Sequence, residues 1–99
     1  MTTPLELSVR PAADGTAVLR AVGEIDMSNA AAFSDALSEA GAGTADFVVD
    51  LSAVDYLDSA GLTVLLRHAS RVKIIATALL APVLAVSGLA KVTTVVPAR

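Results

Sequence analysis

The 99 residues are 55% hydrophobic and only 3% aromatic, and 7 Lys plus Arg stand against 10 Asp plus Glu, for a net charge of −3. A chain of this size builds one core, so a single domain over residues 1–99 is expected, filled by Ala, Val and Leu. Absent cysteine and a single histidine, His68, exclude disulfide scaffolds and zinc sites, and without a cluster of basic and aromatic side chains no nucleic-acid surface is expected.

Leu5, Leu7 and Val9 alternate with Glu6, Ser8 and Arg10, which predicts a strand with one wet face. A turn over Pro11-Ala-Ala-Asp14-Gly15 and a second strand, Thr16 to Val22, complete a hairpin. Gly23-Glu24-Ile25-Asp26 leads to a helix capped by Ser28 or Asn29, with Phe33, Ala36, Leu37 and Ala40 on its buried face and Gly41 and Gly43 ending it. Phe47-Val48-Val49, between Asp46 and Asp50, reads as a short central strand, followed by a link through Ser52, Val54 and Tyr56. Leu62, Leu65, Leu66 and Ala69 then fall at i, i+3, i+4 and i+7 and predict an amphipathic helix, with Arg67 and Arg71 suiting the dipole at its end.

The 17 residues from Ile74 to Ala90 carry no charge, yet Pro82 and Gly88 divide them and they fall short of the ~20 that span a bilayer. They read as the end of a Val72 to Ala76 strand and a short helix from Pro82 to Ser87, before a last strand, Thr93 to Val96. No membrane insertion is expected, and Met1-Thr-Thr-Pro-Leu-Glu has no secretory pattern. Strand and helix alternate after an opening hairpin, which predicts an α/β fold with a mixed sheet of four to five strands and helices packed against it.

The informative segment is Asp50-Leu-Ser-Ala-Val-Asp-Tyr-Leu-Asp58-Ser59-Ala-Gly61-Leu62, a strand, a link and a helix start with a hydroxyl at the junction. Ser59 is expected as the N-cap or a first-turn residue, with the amides of Gly61 and Leu62 pointing toward it. It is then either a plain cap or a place where a phosphate meets amide donors and the positive end of a helix. Asp58 either adds favourable charge there or presents it to a partner.

Catalysis by Ser59 is not expected. The flanking residues lack the first glycine of a Gly-x-Ser-x-Gly elbow, and His68 is nine residues further on, about 13 Å along a helix. No calcium loop, phosphate loop or acid–base carboxylate pair stands out, so neither metal nor cofactor is expected.

The same segment resembles the signature of STAS domains, the anti-sigma factor antagonist family of bacteria. Gly23-Glu24-Ile25-Asp26 and Pro82-Val-Leu-Ala-Val-Ser-Gly88-Leu89 agree with two further family stretches, so the likeness runs over about residues 5–97. It implies a non-enzymatic cytoplasmic regulator of sigma-factor-dependent transcription that binds a protein acting as both anti-sigma factor and serine kinase. By the resemblance, Ser59 is the phosphorylated residue, and Asp26, Asp58, Ser59, Gly61 and Leu62 belong to the partner surface. The alternative is a constitutive scaffold or accessory subunit, as of a lipid-transport ATPase or a stress-signalling complex. A weak homodimer stays open. The connection His68-Ala-Ser-Arg-Val-Lys73 is about one and a half helical turns shorter than the family's usual one.

Overall fold

The structure, a computed structural model, describes residues 4–11, 13–42 and 46–98. Gly43, expected to help end the first helix, Ala12 of the predicted turn, and Met1 to Thr3 lie outside the described residues.

Five strands, β1 (Leu5–Pro11), β2 (Ala17–Ile25), β3 (Phe47–Leu57), β4 (Val72–Ala76) and β5 (Thr94–Pro97), form one sheet in sequential order. The β1–β2 hairpin is antiparallel and the other pairs are parallel, which makes the predicted mixed sheet. Helices α1 (Ala30–Ala40), α2 (Ser59–Arg67), α3 (Ala81–Val86) and α4 (Leu89–Val92) fill the crossovers. Right-handed crossovers in sequential order place every helix on the same side of the sheet, so the fold has two layers. The core lies between them: Leu19, Ile25, Phe47, Val49, Leu51 and Ile74 of the sheet meet Phe33, Leu37, Leu65, Leu84 and Leu89 of the helices, all buried.

The central strand is far longer than the predicted Phe47–Val49, because the residues expected to form a link continue it to Leu57. Two register shifts against β2, between Arg20 and Val22 and between Gly23 and Glu24, put extra residues into β3. Its buried apolar positions therefore run Phe47, Val49 and Leu51 at period two, then Val54 and Leu57 at steps of three. A bulge resets which face a residue takes, so strict alternation is lost.

On the open face, Arg20 and Asp50 are register partners and form an ion pair at 3.3 Å. Burial alone would raise the pKa of Asp50, but hydrogen bonding by Ser52 and the charges of Arg20 and Arg10 outweigh it and hold the carboxyl below its usual value.

Three further expectations change in detail. In α2 the buried residues are Gly61, Val64 and Leu65, whereas Leu66 is 43% exposed, because the helix ends at Arg67 and a 3-10 turn, Ala69–Arg71, carries Ala69 inward. The guanidinium of Arg71 also reaches another helix, donating to the carbonyl of Gly41, the C-cap of α1. The uncharged stretch from Ile74 is broken into strand, turn and α3, with Pro82 in the first helical turn, and no described helix is long and apolar enough to cross a membrane.

Candidate functional site

Parallel strands end their C-terminal edges side by side, and that edge gathers the loops after β2 and β3. Ile25 and Leu57 are register partners there, and the amide of Asp58 donates to the carbonyl of Ile25 at 3.2 Å. The two acidic loops carrying Asp26 and Asp58 are thus tied together at their first residues.

Asp58, not Ser59, is the N-cap of α2. Its backbone is extended, and its Oδ1 accepts from the amides of Ala60 at 2.9 Å and Gly61 at 3.2 Å. The amide of Leu62 donates to the Asp58 carbonyl at 3.0 Å. This corrects the expectation that the Gly61 and Leu62 amides point toward Ser59. A carboxylate outcompetes a hydroxyl as acceptor at the positive end of a helix. Ser59 becomes the first helical residue and its side chain is exposed, while its carbonyl accepts from the Thr63 hydroxyl at 2.8 Å.

Gly61 is buried below this turn rather than presented on the surface. A Cβ there would stand 2.5 Å from Leu57 Cδ1 and 2.8 Å from Ile25 Cγ2, so only glycine lets α2 settle this closely on the strand ends. Leu62 is half-buried against the core.

The loop from Asp26 to Asn29 is cross-tied rather than capped. Asp26 Oδ1 accepts from the Ser28 amide at 2.8 Å and the Ser28 hydroxyl at 2.5 Å. Asn29 Oδ1 accepts from the Asp26 amide at 3.0 Å while its Nδ2 donates to the Glu24 carbonyl at 2.8 Å. Asn29 occupies the N-cap position of α1, but neither it nor Ser28 gives α1 a side-chain cap. The side chains' hydrogen-bonding capacity goes into holding Asp26 in place instead.

Met27, 82% exposed, and Tyr56, 50% exposed, stand in this loop and at the end of β3. In the sequence their exposure is signalled only by their neighbours Asp26, Ser28 and Asp55, since apolar residues between polar ones in a bulged strand end or loop have no core to face. A shallow groove between α1 and α2 opens nearby, lined by Ala30, Ser34, Asp35, Ala60, Thr63 and Arg67. His68, at the far end of α2 from Ser59, is partly buried, and burial, with Arg71 and Arg67 adding repulsion, pushes its pKa down. Among the described residues no group of His, Asp and Glu side chains is placed to hold a metal ion. The arrangement is an exposed hydroxyl on a rigid, acidic, partly apolar rim.

The family model described as Mlab, STAS domain matches residues 9–97. This chain is a STAS domain. A solved anti-sigma factor antagonist from Mycobacterium paratuberculosis is 28% identical to this STAS domain and superimposes with a TM-score of 0.87, covering 96% of this chain and 87% of that one. The anti-sigma factor antagonist SpoIIAA in its unphosphorylated form is 18% identical, with a TM-score of 0.63 over 95% of this chain and 89% of its own. A Thermotoga maritima protein is 16% identical, with a TM-score of 0.70 over 94% and 86%. At those identities the last two bear on the fold alone. No curated protein matches the sequence. In this STAS domain the 3-10 turn after His68 delivers the chain directly into β4.

Proposed function

We propose that this STAS domain is an anti-sigma factor antagonist whose unphosphorylated form captures an anti-sigma factor with serine kinase activity, and that phosphorylation of Ser59 weakens the capture. The observation that carries the reading is the exposure of Ser59 on the first turn of α2, beside the Asp58 cap and the tied Asp26 loop. The 28% identity to the mycobacterial antagonist over 96% of the chain supports it.

Phosphorylation adds about −2 of charge at a position where the Ala60 and Gly61 amides are already engaged by Asp58. The phosphoryl group therefore stays on the outside of the turn and deepens the negative rim formed with Asp26 and Asp58. A partner that seats a neutral hydroxyl there has to desolvate or repel that charge. The partner surface comprises Asp26, Asp58, Ser59 and the exposed part of Leu62, with Gly61 setting the backbone beneath them.

The Mlab description of the matching family favours a second reading, a constitutive accessory subunit of a larger assembly such as a lipid-transport ATPase, in which Ser59 is not a switch. Affinity capture from host lysate with Ser59→Ala and Ser59→Glu baits separates the two. The antagonist reading expects a kinase-like protein held by the alanine bait and weakened by about 1–3 kcal/mol with glutamate. One stoichiometric assembly on both baits establishes the scaffold instead.

A further inference from the structure

β1 lies at one edge of the sheet, and no described strand pairs with its outer side. The register decides which of its backbone groups face outward. The unbroken pairing with β2 extends by one residue to Pro4 and Glu24, where the Glu24 amide donates to the Pro4 carbonyl at 3.3 Å. Alternate residues of an antiparallel strand turn their backbone groups to the same side, so Glu6, Ser8 and Arg10 bond β2. Leu5, Leu7 and Val9, with the carbonyl of Pro11, point to the open edge, which is a template for another strand. The side chains select that strand. Glu6 and Arg10 stand two residues on either side of Ser8, both are exposed, and neither forms an ion pair among the described residues.

We propose that β1 pairs antiparallel with β1 of a second copy about a two-fold axis at Ser8, joining two five-stranded sheets into one. Glu6 of each copy then faces Arg10 of the other, at the non-hydrogen-bonded positions where opposed side chains come closest. Leu7 of each copy faces Val9 of the other, exchanges the outward backbone bonds and covers Val9, which is 54% exposed. Axes at Leu7 or Val9 leave Glu6 and Arg10 unmatched, and axes at Glu6 or Arg10 set like charges opposite each other. Any extended segment can use the backbone groups of an edge; the charge order, acid and then base, is complementary to itself when read in reverse, and so fits a second copy. The contact is small, below about 1,200 Å² in total, so association is weak and concentration-dependent.

Sedimentation equilibrium on the intact chain tests this at concentrations up to about 1 mM, where a Kd of that size places half of the chains in dimers. The expected result is a monomer–dimer equilibrium that Glu6→Arg weakens about tenfold, although it moves the net charge of −3 toward zero. Combining Glu6→Arg with Arg10→Glu restores the opposed pairs and is expected to restore the dimer, with far-ultraviolet circular dichroism unchanged in both variants. Because the chain has no cysteine, Ser8→Cys sets a single thiol on the axis, opposite its copy at a Cα separation of about 4.5 Å, which a disulfide spans. It is expected to form linked dimers faster than Thr94→Cys on β5, the opposite edge of the sheet. A wild-type chain that stays monomeric throughout overturns the proposal. A dimer indifferent to Glu6→Arg, a loss that the charge swap does not restore, or equal cross-linking at the two positions also overturns it.

Discussion

The amide of Asp58 donates to the carbonyl of Ile25 at 3.2 Å, and through this one bond the ends of two neighbouring parallel strands hold the loops of Asp26 and Ser59 in fixed relation. The bond joins residues 33 positions apart. The surface around Ser59 is therefore stiffened by the sheet rather than by either loop alone.

Replacing Asp58 by Ala removes the acceptor of the Ala60 and Gly61 amides. The expected cost is about 1–2 kcal/mol by urea denaturation, with faster hydrogen exchange confined to the first turn of α2. Asp58→Asn keeps an acceptor oxygen and is expected to restore most of the loss. Equal loss in both variants would show that charge, not the cap, matters.

Gly61→Ala places a methyl group into van der Waals overlap with Leu57 and Ile25. Both neighbours are buried, so α2 must lift away, and a loss of about 1–3 kcal/mol is expected in the same assay. Partner capture is expected to fall as well, because the turn carrying Ser59 moves with it.

Gly23 has φ of +118°, and an added Cβ would lie 2.3 Å from the carbonyl oxygen of Pro4. Gly23→Ala is therefore expected to detach the start of β1, where the Glu24 amide bonds that same carbonyl, with a loss of more than about 1 kcal/mol. The measurement is stability together with exchange at the Glu24 amide; protection as in the wild type would refute the account.

Two side chains set a pH dependence. The folded-state pKa of His68 lies below the ordinary histidine value of 6.5, so the unfolded chain takes up its proton first as pH falls, and stability is lost below about 6.5. His68→Gln should flatten that part of the profile. Asp50 is also depressed, below 3.8, and its contribution is present above that value and lost as pH falls through the folded pKa. Asp50→Asn should reduce the step at the acid end, to which Asp14, held down by the Thr16 amide, also contributes, and leave the histidine step in place.

Much of the fold is written locally. The Leu5 to Arg10 alternation, the Phe33, Leu37 and Ala40 stripe and the break at Pro82 each follow from residues within a turn or two, and they locate the corresponding elements. The Asp58-Ser59-x-Gly61 junction was legible too, since polar residues and glycine at a helix start are local chemistry. The sequence could not reveal which acceptor wins the first amides: Asp58 and Ser59 both qualify, and the extended backbone at Asp58, held by Ile25, decides it. It could not reveal that Ser52 to Leu57 continue the central strand, because the bulges come from pairing with β2 and erase the period-two signal. Nor could it predict that Arg71 serves the end of another helix, a contact across 30 residues. Short-range periodicity and turn chemistry determined the elements; competition between neighbouring donors and acceptors, settled only when distant strands align, determined the site.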